Sequence, residues 1–352
     1  MSYYIIIFFA TLIISVLATL LSIYLAKRLN VIDLPDTQRE LATDRKIHKK
    51  SIPLFGGFGI FLAFFIVGFF VLDKLIAGDL NIKHWLGVFV GACFLMIGGF
   101  LDDKYNLKPK HQLIFPILAI VTVIIGGVGI EKITNPFGGL IILKQIFLLP
   151  YLFTFIWLLG MMYTTKLLDG VDGLVTGVTG IGAFIIVLFT MTTKYYQPDI
   201  GLAALILTAS CLGFLIFNWH PAKVFLGEGG SLLLGYLLGI FAIISGGKIA
   251  IALLVMGIPV LDVAWTIIRR LLGRKNPFNF SDKLHLHHRL LNLGIGQRKT
   301  VLIFYAFSLI FGLSALFLQS KGKIFVLGSL VIIMIILISV LNILNKKYAK
   351  NI

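Results

Sequence analysis

Two carboxylates three residues apart, Asp169 and Asp172, have the spacing in this chain that most strongly suggests chemistry. They lie between two long apolar runs, in the stretch Leu167-Leu168-Asp169-Gly170-Val171-Asp172-Gly173-Leu174. In a helix, this spacing would place both side chains on one face, one turn apart. A charged side chain in or beside a bilayer-spanning run costs roughly 3 kcal/mol, which favours a functional site. A polar turn is the alternative, because Gly-Asp-Gly also marks turns.

A second pair of carboxylates, Asp102 and Asp103, follows Gly98-Gly99-Phe100-Leu101 at the end of another apolar run. Paired Asp residues supply the hard oxygen ligands that Mg²⁺ prefers, and one of them can instead act as a base. A helix end that simply reaches water explains the same pattern equally well.

A glycine-rich stretch that opens a further apolar run contains Glu228. It reads Asn218-Trp219-His220-Pro221-Ala222-Lys223-Val224-Phe225-Leu226-Gly227-Glu228-Gly229-Gly230-Ser231. Free backbone N–H groups at such a helix start can bind phosphate, and the carboxylate can hold a metal. The alternative is a turn whose Glu merely stabilises the helix N-terminus.

Histidines are concentrated in the loop from Arg269 to Lys299, as His285, His287 and His288, with Arg289 directly after them. A tetrahedral zinc site needs more ligands, and no Cys lies near. Recognition of phosphate by His and Arg is therefore the better interpretation. A solvated basic loop that only sets membrane topology is the alternative.

A basic run near the N-terminus, Asp44-Arg45-Lys46-Ile47-His48-Lys49-Lys50, contains His48 and Lys49. Such a run before an apolar helix is usually a topology signal. Its functional interpretation is a clamp on an anionic substrate.

The sequence that contains these clusters has 352 residues, of which 59% are hydrophobic and 13% are charged. Soluble domains carry about 25% charged residues, so the composition predicts an all-α polytopic integral membrane protein, taken as one domain over residues 1–352. Runs of about 18 to 25 apolar residues predict eleven transmembrane helices, the first of them retained. They are Tyr3–Ala26, Leu54–Leu72, His84–Leu101, His111–Ile130, Leu140–Thr165, Leu174–Thr193, Ile200–Phe217, Gly229–Ser245, Ile249–Ile268, Thr300–Leu318 and Ile324–Leu344.

The basic residues predict the orientation of these helices. The loops after the odd-numbered helices, together with the C-terminal tail, hold 23 of the 31 Lys and Arg residues, so we expect them to be cytoplasmic. The N-terminus is then extracytoplasmic and the C-terminus cytoplasmic. The net charge of +16 is mostly a topology signal, which disfavours a nucleic-acid partner. Two β-prone pieces within Gly129–Leu143 predict a small extracytoplasmic hairpin.

The acidic and histidine-rich clusters all fall on the predicted cytoplasmic face, each at a helix end. Metal-binding and phosphate-binding groups at a lipid interface favour phosphoryl chemistry on an amphiphile. A transporter or lipid-binding scaffold is the competing class, but a transporter places ionisable residues near the bilayer midplane and often shows repeats. No internal repeat is evident here.

With these motifs in hand, the sequence resembles the polyprenyl-phosphate N-acetylhexosamine-1-phosphate transferases, which are related to the phospho-MurNAc-pentapeptide translocases. The resemblance covers about Arg45 to Lys299, with its elements in family order. They are the Arg45–Gly57 loop, Leu101-Asp102-Asp103, Asp169-Gly170-Val171-Asp172-Gly173-Leu174, Phe225-Leu226-Gly227-Glu228-Gly229-Gly230-Ser231 and His285-Leu286-His287-His288. The interrupted histidine run resembles the branch that uses UDP-N-acetylhexosamines.

The resemblance implies an enzyme in the cytoplasmic (inner) membrane with a cytoplasmic active site. It would transfer N-acetylhexosamine 1-phosphate, most simply GlcNAc 1-phosphate, from a UDP-sugar to undecaprenyl phosphate. The reaction would release UMP and start a cell-envelope glycan. It would use Mg²⁺, with Mn²⁺ as a substitute, and the family suggests a homodimer. UDP-GalNAc or UDP-MurNAc-pentapeptide as donor, or a catalytically silent relative, are the alternatives.

The resemblance also implies roles for individual residues. Asp102 would deprotonate or align the lipid phosphate and Asp103 would support positioning. Asp169 and Asp172 would lie beside the metal and the nucleotide, with Glu228 and Asp169 as metal ligands. The substrate-binding set would be His48, Lys49, Lys166, Asn218 near the uridine, Phe225 stacked on uracil, and His285, His287, His288 and Arg289 on the diphosphate or sugar.

Two departures from the family pattern stand out. Glu228 replaces the usual Asp, and Lys166 and Tyr163 stand where the family usually has Asn. We hypothesise that the changes belong together, with Lys166 pairing Glu228 or the substrate phosphate and the metal shifted accordingly.

Overall fold

The computed structural model describes residues 2–34, 51–135, 139–192, 195–245, 249–273 and 285–348. Within these ranges the chain is mainly helical, with two short strand pairs and a 3-10 helix at Leu143–Gln145. The strands are β1 (Ile32–Asp33), β2 (Ile52–Pro53), β3 (Lys132–Thr134) and β4 (Leu140–Ile142). The helices are α1 (Ser2–Arg28), α2 (Gly56–Phe70), α3 (Leu72–Leu75), α4 (Ile82–Tyr105), α5 (Pro109–Gln112), α6 (Ile114–Ile125), α7 (Leu149–Leu168), α8 (Leu174–Thr190), α9 (Pro198–Asn218), α10 (Gly227–Ile244), α11 (Ile249–Val255), α12 (Gly257–Leu272), α13 (Leu286–Asn292), α14 (Gln297–Phe317) and α15 (Ser320–Tyr348).

The helices confirm a multi-pass membrane protein. Among the described residues, seven helices are long and apolar enough to cross a bilayer, and the bent pair α11–α12 makes an eighth if it is one span. Three shorter apolar helical segments, Gly56–Phe70, Pro109–Ile125 and Leu174–Thr190, coincide with further predicted spans. The count of eleven and the orientation stay predictions.

Prolines mark where two predicted spans differ from the structure. The predicted helix Leu140–Thr165 is wrong in its first nine residues, because β4 and the 3-10 helix precede α7, which begins at Leu149. The predicted helix Ile249–Ile268 is bent by 83° between α11 and α12. Pro150 and Pro259 lie in the first turns of α7 and α12, where a missing N–H costs no helical hydrogen bond.

At the bend between α11 and α12, a side chain from another helix donates a hydrogen bond to a backbone carbonyl that has lost its helical donor. Pro259 cannot donate to the carbonyl of Val255, four residues earlier, and the Ser308 hydroxyl on α14 donates to that carbonyl at 2.9 Å instead. Freed backbone groups in membrane helices need such partners, because lipid supplies none.

Helix α10 forms the centre of the bundle, where it packs against α2, α4, α7 and α8. In its apolar window 89% of residues are buried, against 28% for α1 and 22% for the window of α15. The outer helices thus expose apolar side chains, as expected of surfaces that face lipid. The core helix α10 is the one that carries Glu228.

Glycines bring α2, α4 and α10 into backbone contact at the end of the bundle that holds Glu228. A Cβ added to Gly230 would lie 2.6 Å from the Gly57 Cα, and one added to Gly99 would overlap Gly229. The first turn of α2 also pairs with the segment before α10, since Gly56 N–H donates to the Phe225 carbonyl at 2.9 Å. The glycine motifs therefore allow three helix ends to converge.

The second strand pair falls where the sequence predicts a hairpin. β3 and β4 run antiparallel, with Ile133 opposite Ile141. Residues 136–138 between them lie outside the described residues. The side of the membrane on which this strand pair lies stays a prediction.

Candidate active site

A cavity of about 820 Å³ opens where α4, α7 and α9 end and α10 begins. This volume is in the range of small-molecule sites. Predicted site residues from three separate motifs line it, together with Lys166. They are Asp103, Lys166, Asp169, Asp172, Asn218, Phe225 and Glu228.

Asp103 and Glu228 form one unit. Both carboxylate oxygens of Asp103 accept from the Glu228 N–H, at 3.2 and 3.0 Å. Glu228 is the second residue of α10, so the Asp103 charge lies at a helix N-terminus, where an anion is stabilised. The backbone contact between Gly99 and Gly229 makes this approach sterically feasible.

Asp102 is directed elsewhere and is not among the residues that line the cavity. Its Oδ1 accepts from the Leu107 N–H at 2.8 Å and from Gln112 Nε2 at 3.0 Å. Both bonds close the connection from α4 to α5. The two adjacent carboxylates therefore have different surroundings, and the expected catalytic role of Asp102 stays a prediction.

Lys166 connects the Asp103–Glu228 unit to Gln112, the hydrogen-bond partner of Asp102. Its Nζ forms an ion pair with Glu228 Oε1, as the sequence hypothesis proposed, and donates to Gln112 Oε1 at 3.2 Å. It also lies 5.4 Å from the centroid of the Tyr163 ring, so the residues that depart from the family pattern are in contact. The two side chains of the ion pair are only 11% and 18% exposed, so water screens them less than a surface pair.

The stretch around Asp169 and Asp172 is a turn, so the two carboxylates do not share a helix face. Helix α7 ends at Leu168, and Gly173 has a φ of +78°, which a side chain would disfavour. Asp172 Oδ2 accepts from the Ala222 N–H at 3.1 Å and lies 2.7 Å from His220 Nδ1. Asp172 thus holds the loop that follows α9.

Asp169 differs, since no hydrogen bond to its carboxylate occurs within the described part of the chain. Its accessible surface lines the cavity. The protein around the cavity reduces its solvation, and the nearby Glu228 and Asp172 charges repel it, so its pKa rises to about 8.

Asn218 forms hydrogen bonds within the protein through both its amide oxygen and its amide nitrogen. Its Oδ1 accepts from the Gly173 N–H and from the Thr176 hydroxyl, each at 3.1 Å, while Nδ2 donates to the Val224 carbonyl at 3.0 Å. Although Asn218 lines the cavity, these bonds tie the turn before α8 to the loop before α10.

The histidine segment, residues 285–289, meets the turn at Gly170. A Cβ added to Gly170 would lie 2.9 Å from His287 Nε2 and 3.3 Å from His288 Nε2. His287 is 1% exposed, and neither of its ring nitrogens has a hydrogen-bond partner among the described residues. Burial, followed by the neighbouring His288 and His285, lowers the pKa of His287 well below its ordinary value.

The remaining predicted residues are placed as follows. His285 and Arg289 are each 5% exposed, at the start and in the middle of α13. His48 and Lys49 lie outside the described residues.

Sequence reasoning missed three residues at this site. Gln112 is uncharged and lies at the start of a predicted span, so no sequence signal distinguished it. His220 was part of the glycine-rich stretch but received no role. Asp262 lies inside the predicted span Ile249–Ile268 and belongs to none of the motifs, although its carboxylate contacts the start of the histidine segment.

Comparison with known proteins identifies the family. Residues 85–246, which include Asp102, Asp103, Asp169, Asp172 and Glu228, match the model of glycosyl transferase family 4. A probable undecaprenyl-phosphate N-acetylglucosaminyl 1-phosphate transferase of Bacillus subtilis is 33% identical over 315 residues, covering 87% of this chain and 85% of the relative. An undecaprenyl-phosphate alpha-N-acetylglucosaminyl 1-phosphate transferase of Thermotoga maritima is 32% identical, with 85% and 86% covered.

A related branch is also similar. A phospho-N-acetylmuramoyl-pentapeptide-transferase of Halalkalibacterium halodurans is 30% identical over 284 residues, covering 77% of this chain and 84% of the relative. The chain therefore belongs to glycosyl transferase family 4 and is a sugar-phosphate transferase.

Proposed function

We propose that this protein transfers N-acetylglucosamine 1-phosphate from UDP-GlcNAc to undecaprenyl phosphate and releases UMP. The observation that carries this proposal is the convergence of Asp103, Asp169, Asp172 and Glu228 on one cavity beside Lys166. The names of the relatives from Bacillus subtilis and Thermotoga maritima support the same acceptor and sugar.

The proposed reaction exchanges one phosphoanhydride for another. The phosphate of the acceptor attacks the sugar-bearing phosphorus, a new P–O bond forms, and the bond to UMP breaks. Little covalent assistance is needed, so positioning and charge neutralisation dominate catalysis.

Mg²⁺ suits the carboxylates around this cavity. It usually takes one or two protein carboxylates and completes its shell with phosphate oxygens and water. In the described part of the chain, no three His, Cys, Asp or Glu side chains form a ready-made metal group, so a metal shared with the substrate fits best. Asp169 and Glu228 would hold it, with Mn²⁺ as a substitute, and it would neutralise charge on the diphosphate and the leaving UMP.

The residues of the chain then divide the remaining work. Asp103 and Lys166 fix Glu228, and Asp172 and Asn218 fix the two loops at the cavity. Phe225 would stack on the uracil, and the His and Arg side chains of the histidine segment would contact the diphosphate or sugar. Asp102, next to this group, would deprotonate or align the lipid phosphate.

The membrane arrangement that we propose has eleven spans, an extracytoplasmic N-terminus and a cytoplasmic C-terminus. The long apolar helices, the bent pair and the three shorter helical segments of the described chain support this count. The excess of Lys and Arg in alternate loops supports a cytoplasmic active site in the cytoplasmic membrane. The polyprenyl chain would enter sideways from the bilayer, and a homodimer would follow the family.

A UMP-release assay tests the proposal. Purified protein in nanodiscs receives undecaprenyl phosphate, Mg²⁺ and, in turn, UDP-GlcNAc, UDP-GalNAc or UDP-MurNAc-pentapeptide. We expect turnover with UDP-GlcNAc that EDTA abolishes and added Mg²⁺ restores. Preference for another donor would correct the sugar, and no UMP release with any donor would overturn the proposal.

A further inference from the structure

Asp262 on α12 makes two hydrogen bonds to the start of the histidine segment. Its Oδ2 lies 2.9 Å from His285 Nδ1, and its Oδ1 accepts from the Leu286 N–H at 3.0 Å. Asp262 and His285 are each 5% exposed. A buried carboxylate that uses one oxygen for a ring and the other for the backbone holds both parts in register.

The bond between Asp262 and His285 determines which tautomer the His285 imidazole adopts. An ionised carboxylate only accepts hydrogen bonds, so His285 carries a proton on Nδ1. This proton position follows from the bonding partners, as is usual for His.

The second bond substitutes for a helix cap. His285 is the residue before α13, and its own side chain makes no capping bond to the helix. Asp262 supplies the acceptor for the first N–H of α13 from a different helix, so the position of α13 depends on α12.

His285 in turn lies next to the residue that reaches the turn. The rings of His285 and His287 are stacked, with centroids 5.7 Å apart and planes 4° apart. His287 Nε2 is the atom that would lie 2.9 Å from a Cβ on Gly170, the neighbour of Asp169. A chain of direct contacts therefore runs from Asp262 through His285 and His287 to the turn.

We propose that Asp262 is a positioning residue, which holds His285 and the start of α13 so that His287 stands against Gly170 beside the diphosphate site. This inference rests on the proposed function for its catalytic consequence. It assigns Asp262 no contact with substrate.

A double-mutant cycle tests it. D262N keeps an oxygen for the Leu286 N–H but presents an N–H to His285 Nδ1, so it disturbs the ring more than the helix cap. We expect D262N to lower kcat/KM for UDP-GlcNAc roughly 10-fold or more, by analogy with the 10- to 100-fold cost of removing a carboxylate that orients a metal-ligating His. If Asp262 acts through His285, D262N/H285Q is no slower than H285Q alone.

The matched control is T266V. Thr266 is a buried residue one turn further along α12 at 3% exposure, and the change keeps its shape. We expect T266V to stay within about twofold of wild type. Losses that multiply in the double variant, or an equal loss in T266V, would overturn the positioning role.

A readout independent of turnover separates this inference from the proposed function. In ¹⁵N-histidine-labelled protein, the signals lost in H285Q identify His285, and we expect them to show Nδ1–H in wild type and Nε2–H in D262N. Nε2–H in wild type would overturn the inference even if UMP is released. Nδ1–H without UMP release from any donor would refute the proposed function alone.

Discussion

Two regions at the candidate active site differ in whether their polar side chains have partners within the protein. In the acidic wall, formed by Asp103, Lys166 and Glu228, each charged side chain has a partner within the protein. At the seam, where Asp169 and Gly170 meet the histidine segment, the Asp169 carboxylate and both nitrogens of His287 lack hydrogen-bond partners among the described residues. The side chains of the wall are held in place by bonds within the protein. At the seam, Asp169 lines the cavity without a partner, and His287 is buried without one.

This difference suggests a division of labour. Buried polar groups usually have partners, and exceptions often coincide with function. We therefore expect substitutions at the seam to affect the reaction directly. Substitutions in the wall should act through the arrangement of neighbouring charges.

The largest effect is expected for D169N. The change replaces the cavity carboxyl group that has no partner in the described chain with an amide, so the proposed metal ligand loses its ability to ionise when the metal binds. We expect kcat for UMP release to fall roughly 10²- to 10³-fold. E131Q, at an exposed carboxylate paired with Lys144, is the matched control and should remain near wild type. An equal loss in E131Q would contradict a special role for the seam.

The acidic wall can be broken by separating its ion pair. K166N and E228D should each lower activity about tenfold, because each leaves a mostly buried partner poorly matched. The double variant should recover part of the loss. The rates of UMP release and the Mg²⁺ concentration for half-maximal rate measure this. Purely additive effects would contradict the pairing.

His287 predicts how stability depends on pH. Its pKa in the folded protein lies well below the ordinary 6.5, so at acidic pH the unfolded chain binds a proton that the folded chain does not. Stability is then complete above pH 6.5 and falls as pH drops below it, by up to about 1.4 kcal/mol per pH unit. Thermal melting from pH 5 to 8 should show this slope in wild type and in the exposed-site control H111Q, but less in H287Q. Identical slopes in all three would contradict a buried neutral His287.

The smallest effect is expected at the edge of the wall. Gln112 joins Asp102 to Lys166 through its amide and also donates to the Leu107 carbonyl, so Q112L removes all three bonds while it keeps the approximate size of the side chain. We expect a loss of roughly threefold to tenfold in kcat/KM, about the net energy of one hydrogen bond. Q112E retains an acceptor for Lys166 but not a donor to Asp102, so it separates the two contacts. No loss in either variant would show that the wall does not depend on this bridge.

Much of the site was predictable, because its carboxylates are costly next to apolar runs. Asp103, Asp169, Asp172 and Glu228 stand out in the sequence by type and position, and the structure brings them to one cavity, while their roles stay predictions. The different environments of Asp102 and Asp103 were not predictable, because sequence adjacency says nothing about which carboxylate meets the N-terminus of α10. Gln112 and Asp262 needed the tertiary structure, since their roles arise only from contacts between distant segments.

The exact bounds and the bend of the membrane helices were likewise not predictable from the sequence. Apolar length identified a polytopic chain, but it could not separate β4 and the 3-10 helix from α7, because short apolar strands and helices have the same hydropathy. The bend at Met256 similarly depends on Ser308, about fifty residues away. Periodicity alone carries no information about such a partner.

The glycine contacts among α2, α4 and α10 have a consequence for drug resistance. Because Gly57, Gly99, Gly229 and Gly230 meet backbone to backbone, even a single methyl group has no space there. An inhibitor whose binding depends on the spacing of these helix ends would bind a surface that few tolerated substitutions can change. We expect escape variants to arise instead at side chains on the cavity rim, such as Lys223, where change is sterically tolerated.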